Sequence, residues 1–86
     1  MIDRNISKKI INQVNLKNKI VVEVGPGYGF MTDDIIDKKP KRIYLIEKDK
    51  RLVKTLREKY KNNKKIDIIE EDILKYNLSK FQNIVI

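Results

Sequence analysis

The stretch that decides the fold is residues 20–29, Ile-Val-Val-Glu-Val-Gly-Pro-Gly-Tyr-Gly, in which an apolar run meets a cluster of glycines. The run is short, β-branched and nearly continuously apolar, a pattern typical of a strand buried in a parallel sheet. The 3 glycines of the chain, Gly25, Gly27 and Gly29, end this run. Glycine lets the backbone turn sharply and lets a ligand approach the main chain closely. The stretch therefore predicts a buried strand followed by a ligand-binding turn.

Helical and strand patterns alternate on both sides of this stretch. Upstream, apolar residues at helical spacing predict an amphipathic helix over Asp3–Asn15. Downstream, the patterns predict, in chain order, a helix at Phe30–Asp37, a strand at Arg42–Glu47, a helix capped by Asp49, a turn at Asn62–Lys64, and strands at Ile66–Glu70 and Phe81–Ile86. The helix that Asp49 caps has its apolar residues on one face, namely Leu52, Val53, Leu56 and Tyr60. Alternating strands and helices imply right-handed crossovers and a parallel sheet. The predicted fold class is α/β, a partial Rossmann-like fold with about four parallel strands and flanking helices.

Length and composition narrow the function classes. The 86 residues allow one small domain, and a hydrophobic content of 41% argues against disorder. The sequence has no cysteine and no histidine, which removes thiolate metal sites and the usual general base, so no metal is expected. No apolar run approaches the roughly 20 residues of a membrane span, and Met1–Lys9 lacks the apolar stretch of a signal peptide. A cytoplasmic protein without a membrane partner is expected.

The net charge of +8, from 20 Lys+Arg against 12 Asp+Glu, has two interpretations. It can report a nucleic-acid partner whose phosphates the cations neutralise. It can also report an AT-rich genome, because the basic residues are mostly lysine and the chain is rich in isoleucine and asparagine. The lysines are spread along the chain and form no single block, so charge alone leaves both interpretations open.

Acidic side chains end two of the predicted strands. Glu47 is the last residue of the second strand, and Asp72 follows the third. Because the carboxyl ends of parallel strands meet at one edge of the sheet, both acids should lie beside the glycine turn. There Glu47 can accept both ribose hydroxyl protons, and Asp72 can accept from an adenine amine while Ile73 lies against the ring. The alternatives are a surface glutamate paired with lysine and a glycine turn without a ligand.

The spacing of the glycines excludes two common phosphate-binding loops. A dinucleotide fingerprint has its third glycine three residues after the second, but here Phe30 occupies that position. The Lys-Ser/Thr pair of a P-loop is also absent from this loop. The Glu-x-Gly-x-Gly-x-Gly spacing instead resembles motif I of the S-adenosylmethionine-dependent methyltransferases, in which the loop packs against the methionine and ribose portions of the cofactor.

Four segments together resemble the ribosomal RNA adenine dimethyltransferase family: Asp3–Ile11, Val22–Thr32, Ile46–Asp49 and Glu71–Leu74. The Gly-Pro-Gly form with Thr32 is more similar to the small-subunit dimethyladenosine transferases than to the related erythromycin-resistance methylases of large-subunit RNA. Members of the family transfer methyl groups from S-adenosyl-L-methionine to N6 of adenines in ribosomal RNA. The resemblance therefore implies this cofactor and a ribosomal RNA partner, with the small-subunit RNA favoured.

The resemblance also implies the residues of the site. The cofactor would be bound by Gly25, Gly27, Gly29, Glu47, Asp72 and Ile73. Met1 would join them, because it stands where the family has an apolar residue just after its Gln-Asn-Phe segment. No catalytic residue is assigned, because the family's motif of the Asn-Leu-Pro-Tyr type would follow Ile86.

Residues 1–86 are accordingly expected to be a truncated cofactor-binding part of a methyltransferase domain, without the family's helical C-terminal domain. Such a chain would bind the cofactor without methylating RNA by itself. Two alternatives stay open: a cofactor-binding module completed by a partner chain, and a small basic RNA-binding protein without catalysis. Saturable binding of the cofactor separates the second alternative from the rest.

Overall fold

A computed structural model describes residues 15–75 and 84–85. The elements in chain order are β1 (Ile20–Val24), α1 (Phe30–Ile36), β2 (Arg42–Glu47), α2 (Lys50–Lys59), β3 (Ile66–Glu70), a 3₁₀ turn (Ile73–Lys75) and β4 (Ile84–Val85). The helix predicted over Asp3–Asn15 lies outside the described residues except for Asn15, which is not helical.

The strands form one parallel sheet in the order β3-β2-β1-β4. The register pairs Ile20 with Arg42 and Ile43 with Ile66, so the first three strands are aligned along their whole lengths. This confirms the predicted α/β fold class and the bounds of those three strands. Of the last predicted strand, only Ile84–Val85 belongs to the described residues, and it pairs with the start of β1.

The core lies between the sheet and the helices. Leu45 of β2 and Leu56 of α2 are fully buried there. Ile46, which lies on the opposite face of β2, is buried as well, so β2 is apolar on both faces. The side chain of Tyr60, which follows α2, closes one end of this core. The buried cluster comprises Leu16, Val21, Ile35, Ile43, Leu45, Leu56, Tyr60 and Ile66.

The helices begin at the carboxyl ends of the strands and end near the amino ends. Asp49 caps α2 as predicted, because its Oδ1 accepts the backbone N–H of Arg51 at 2.8 Å. Helix α1 ends at Ile36, and Asp37, its predicted last residue, is the C-cap. The chain turns there because Lys39 adopts a left-handed φ of 56°. In residues 15–75 and 84–85, neither helix has the length and apolarity that a membrane crossing requires.

Candidate cofactor-binding site

The carboxyl ends of β1, β2 and β3 form one edge of the sheet, which we call the carboxyl edge. Two backbone hydrogen bonds tie the segments there: the N–H of Gly25 donates to the carbonyl of Ile46 at 2.9 Å, and the N–H of Glu71 donates to the carbonyl of Glu47 at 3.0 Å. A cavity of about 310 Å³ opens at this edge, lined by Val24, Gly25, Ile46, Glu47, Lys48, Glu71, Asp72, Ile73 and Leu74. The structure therefore brings Gly25, Glu47, Asp72 and Ile73 together, as the sequence predicts.

Glu47 is a buried carboxylate with a fixed orientation. The residue is only 7% exposed, and the backbone N–H of Asp49 donates to its Oε2 at 3.0 Å. Asp49 is itself held as the N-cap of α2, so the donor that orients Glu47 is part of a regular element. A carboxylate has about four lone-pair sites on its two oxygens, so the hydrogen bond from Asp49 leaves other sites able to accept hydroxyl groups of a ligand.

Asp72 is positioned by the 3₁₀ turn that follows it. Its Oδ1 accepts the backbone N–H of Leu74 at 3.0 Å, and its carbonyl accepts the N–H of Lys75 at 2.9 Å. Ile73, the first residue of this turn, adds an apolar surface to the same cavity. An acceptor beside an apolar side chain suits the amine and the face of an adenine ring.

Gly25 and Gly27 leave open space beside the backbone. Their φ angles are +65° and +61°, the left-handed region in which other residues are strained. A Cβ atom built at either position would meet nothing within 4 Å. Packing inside the protein therefore does not require these glycines, whereas the backbone conformation does, and the space beside them would admit a ligand close to the main chain.

Gly29 has a different environment. A Cβ atom there would collide with the hydroxyl of Tyr60 and would lie 3.2 Å from the Cζ of the same ring. The Tyr60 hydroxyl lies 3.1 Å from the carbonyl oxygen of Gly29 and 2.7 Å from Oδ1 of Asp33, sharing its proton between them. Lys59 donates to the carbonyl of Tyr28 and to Oδ2 of Asp33, each at 2.9 Å. Lys59 and Tyr60, at the end of α2, thus hold the last residues of the glycine turn by hydrogen bonds to their carbonyl oxygens.

Tyr60 stays a neutral hydrogen-bond donor in this arrangement. Burial of the phenol raises its pKa, and the hydrogen bond to the Asp33 carboxylate and the charge of that group raise it further. The sequence placed Tyr60 on the apolar face of a helix and gave no sign of its hydroxyl contacts. The predicted contact of Gly29 with the cofactor remains a prediction, and the structure adds a packing reason for this glycine.

A second buried carboxylate lies behind the glycine turn. Glu23 of β1 accepts a hydrogen bond from the hydroxyl of Thr32 in α1, and both residues are buried. Burial raises the pKa of Glu23, the Thr32 hydrogen bond opposes this shift, and the charge of Asp33 adds to it. Neither residue is among the predicted site residues, although an acid within an apolar strand is a visible signal in the sequence. The pair joins the strand before the turn to the helix after it.

The side chains at the carboxyl edge fit the cofactor that the resemblance implies. They combine two carboxylates placed by backbone donors, an apolar residue and a glycine backbone with open space beside it. Met1, the remaining predicted site residue, lies outside the described residues. Within the parts of the chain described, no group of three or more His, Cys, Asp or Glu residues could hold a metal ion.

Comparison with known proteins relates this geometry to a family. The model of the family described as ribosomal RNA adenine dimethylase matches residues 1–84. The ribosomal RNA small subunit methyltransferase A of Pelagibacter ubique is 44% identical to this chain over 79 residues, which are 92% of this chain and 29% of that protein.

Solved structures agree with this match. A dimethyladenosine transferase from Plasmodium falciparum superposes with a TM-score of 0.78 and 27% identity, over 92% of this chain and 30% of that one. The 23S rRNA methyltransferase ErmE superposes with a TM-score of 0.75 and 31% identity, over 88% of this chain and 31% of that one. The chain therefore spans less than a third of the length of these relatives.

Proposed function

Because the chain belongs to the ribosomal RNA adenine dimethylase family, we propose that its carboxyl edge binds S-adenosyl-L-methionine for N6 methylation of adenines in ribosomal RNA. One observation carries the proposal: the buried, oriented carboxylate of Glu47 opens on the same cavity as Gly25 and Asp72. A lone surface glutamate paired with lysine would show neither the burial nor the backbone donor.

Each predicted site residue has a proposed role. Glu47 accepts the two ribose hydroxyls, and Asp72 accepts the exocyclic amine of the adenine. Ile73 packs against the adenine ring. The turn that contains Gly25 and Gly27 lies against the methionine and ribose portions, where its open space admits them. By resemblance, Gly29 and Met1 complete this site.

The residues of this edge bind and orient, and they need no proton-transfer group for that task. Bound S-adenosyl-L-methionine supplies a methyl group on a sulfonium, which is a good leaving group. The polypeptide contributes by holding the reactants in line and by excluding water. The absence of histidine from the sequence is therefore compatible with this chemistry.

The proposed substrate is small-subunit ribosomal RNA. The name of the Pelagibacter relative supports this choice, and so does the similarity to a dimethyladenosine transferase. The similarity to a 23S rRNA methyltransferase makes large-subunit RNA the competing substrate. The net charge of +8 suits either RNA.

The test is a calorimetric titration of the 86-residue chain with S-adenosyl-L-methionine. Saturable binding is expected, and Glu47→Gln should weaken it by about tenfold or more, because a hydrogen bond to a charged group contributes about 1.5–3 kcal/mol. Glu58→Gln is the matched control: it removes the same charge from an exposed residue of α2 that pairs with Lys61. Circular dichroism of each variant verifies that the fold is retained.

Two results would contradict the proposal. One is a folded chain that does not bind the cofactor. The other is a Glu47→Gln variant that binds as tightly as Glu58→Gln.

A further inference from the structure

The amino ends of the strands form the opposite edge of the sheet, which we call the amino edge. Backbone hydrogen bonds gather the turns that precede the strands there. The N–H of Lys41 donates to the carbonyl of Lys19 at 2.8 Å, and the N–H of Ile43 donates to the carbonyl of Lys65 at 2.8 Å. Lysines that are far apart in sequence therefore share this edge: Lys17, Lys19, Lys38, Lys39, Lys41, Lys61, Lys64 and Lys65.

This cluster of cations has few partners of opposite charge. All of these lysines except the half-buried Lys38 are exposed. Of these eight lysines, only Lys61 forms an ion pair among the described residues, with Glu58 at 3.0 Å. Asp37 is the single acidic residue in the same turns. A net positive potential must result, because uncompensated like charges on one surface add.

A groove runs between two of these turns. It has a volume of about 500 Å³ and is lined by the lysines at 39, 64 and 65 together with apolar residues. Its apolar floor consists of the half-buried Ile36, with the buried Pro40 and Ile43 beneath it. Lys39, Lys64 and Lys65 are exposed around this floor. Asn62 and Asn63, which also line it, offer amide donors and acceptors.

We propose that this groove binds the phosphate backbone of RNA, as a contact separate from the methyl-transfer site. Lysine ammonium groups bind phosphates as point charges and read no base sequence. The apolar floor accommodates a sugar or a base between the contacts. The choice of RNA as the polyanion rests on the proposed function, because the relatives are named for ribosomal RNA.

The geometry sets the distance between the two sites. The strands that join them have 5 or 6 residues, so the edges lie about 17–20 Å apart at roughly 3.3 Å per residue. An RNA that reaches the cofactor cavity would therefore have to pass along the side of the domain to touch the groove. Such a contact positions a large folded RNA and contributes affinity without specificity for the target adenine.

The proposal is tested by fluorescence anisotropy with a labelled fragment of small-subunit ribosomal RNA over a range of salt concentrations. The triple variant Lys39→Gln/Lys64→Gln/Lys65→Gln should bind the RNA about a hundredfold more weakly near 0.1 M salt, with little difference left near 1 M salt. Its slope of log K against log salt should be shallower by about 2, for three single-strand phosphate contacts. The matched control is Lys50→Gln/Arg51→Gln/Lys54→Gln, which removes the same charge from exposed residues of α2.

Each outcome decides the proposal. A loss confined to the groove variant supports it. An equal loss of RNA affinity in both variants overturns it, since the loss would then follow from net charge alone. The absence of any loss in both variants overturns it as well. Binding to vesicles of phosphatidylserine and phosphatidylcholine is measured in parallel. A groove variant that loses vesicle binding but keeps its RNA binding also overturns the proposal. Both triple variants should bind S-adenosyl-L-methionine normally, so failure of the cofactor site would be seen separately.

Discussion

The two edges of this sheet carry charges of opposite sign, and they hold them in different ways. At the carboxyl edge the carboxylates are placed by backbone donors: Glu47 is held by the N–H of Asp49 and Asp72 by the N–H of Leu74. At the amino edge the lysines are exposed except for the half-buried Lys38, and nearly all have no carboxylate partner among the described residues. A fixed, buried charge can recognise one small ligand, whereas mobile exposed charges attract a polyanion.

Part of this separation follows from the helix dipoles. Both helices start at the carboxyl edge and point their negative ends toward the amino edge. Acidic residues favour helix starts, as Asp33 and Asp49 do here, and basic residues favour helix ends, as Arg57 does in the last turn of α2. The dipole acts only within the last turn of a helix, so it does not account for Lys19 or Lys65, which directly precede strands.

The largest expected effect separates the glycines of the carboxyl edge. Gly29→Ala should lower the free energy of unfolding by about 2–5 kcal/mol, because a left-handed φ costs about 1–2 kcal/mol and overpacking against Tyr60 about 1–3 kcal/mol more. Gly25→Ala has open space and should lose only about 1–2 kcal/mol. Urea denaturation measures both.

A double variant tests the cause of that difference. Tyr60→Phe removes the hydroxyl that a Cβ at position 29 would meet, so it should recover part of the loss caused by Gly29→Ala. Equal losses of unfolding free energy for Gly25→Ala and Gly29→Ala would show that the close contact of Tyr60 with Gly29 does not distinguish the two glycines.

How far the sequence predicts the molecule depends on how local each cause is. The first three strands were predicted to the residue, because each is a short apolar run bounded by turns. The meeting of Gly25, Glu47 and Asp72 followed from the rule that parallel strands end at one edge. Helix α1 ended one residue early, because Lys39 reverses the chain through a left-handed conformation that lysine does not signal.

The features that the sequence did not reveal depend on distant contacts. The partner of Gly29 is the hydroxyl of Tyr60, which lies 31 residues away. The burial of Glu23 requires Thr32 on a neighbouring helix. The lysines appear scattered along the sequence, and only the crossovers, which return the chain repeatedly to one edge, bring Lys19, Lys41 and Lys65 together.

A smaller effect should appear when the buried charge of Glu23 is removed. Because burial raises the folded-state pKa of Glu23 above 4.5, the native state binds this proton more tightly than the unfolded state does, and stability is lost as pH rises from about 4.5 through the folded pKa. Glu23→Gln keeps an acceptor for Thr32 and should therefore unfold at higher denaturant than wild type at pH 7. The advantage should fade near pH 4, and the measurement is urea denaturation at both pH values.

The exposed Glu58→Gln serves as the control for this experiment. It removes the same formal charge but leaves the buried pair of Glu23 and Thr32 intact. A Glu23→Gln variant that is less stable than wild type at pH 7 would show that the native protein favours the ionised form.

The smallest effect on stability is expected at the amino edge. The triple variant of the lysines at 39, 64 and 65 should change the free energy of unfolding by about 0.5 kcal/mol or less per residue, because all three side chains are exposed. The change should be stabilising in dilute buffer, where repulsion is unscreened, and should disappear near 1 M salt. A destabilisation that salt does not alter would mean that these lysines have a packing role.

The most direct test of the difference between the edges is a titration of the ¹⁵N-labelled chain with S-adenosyl-L-methionine, followed by amide NMR shifts. We expect saturable shifts of the amides at the carboxyl edge, centred on Gly25, Lys48 and Ile73, while the amides of Lys39 and Lys65 at the amino edge stay unchanged. Shifts centred on the amino edge, or a folded chain whose spectrum the cofactor leaves unaltered, would contradict this expectation.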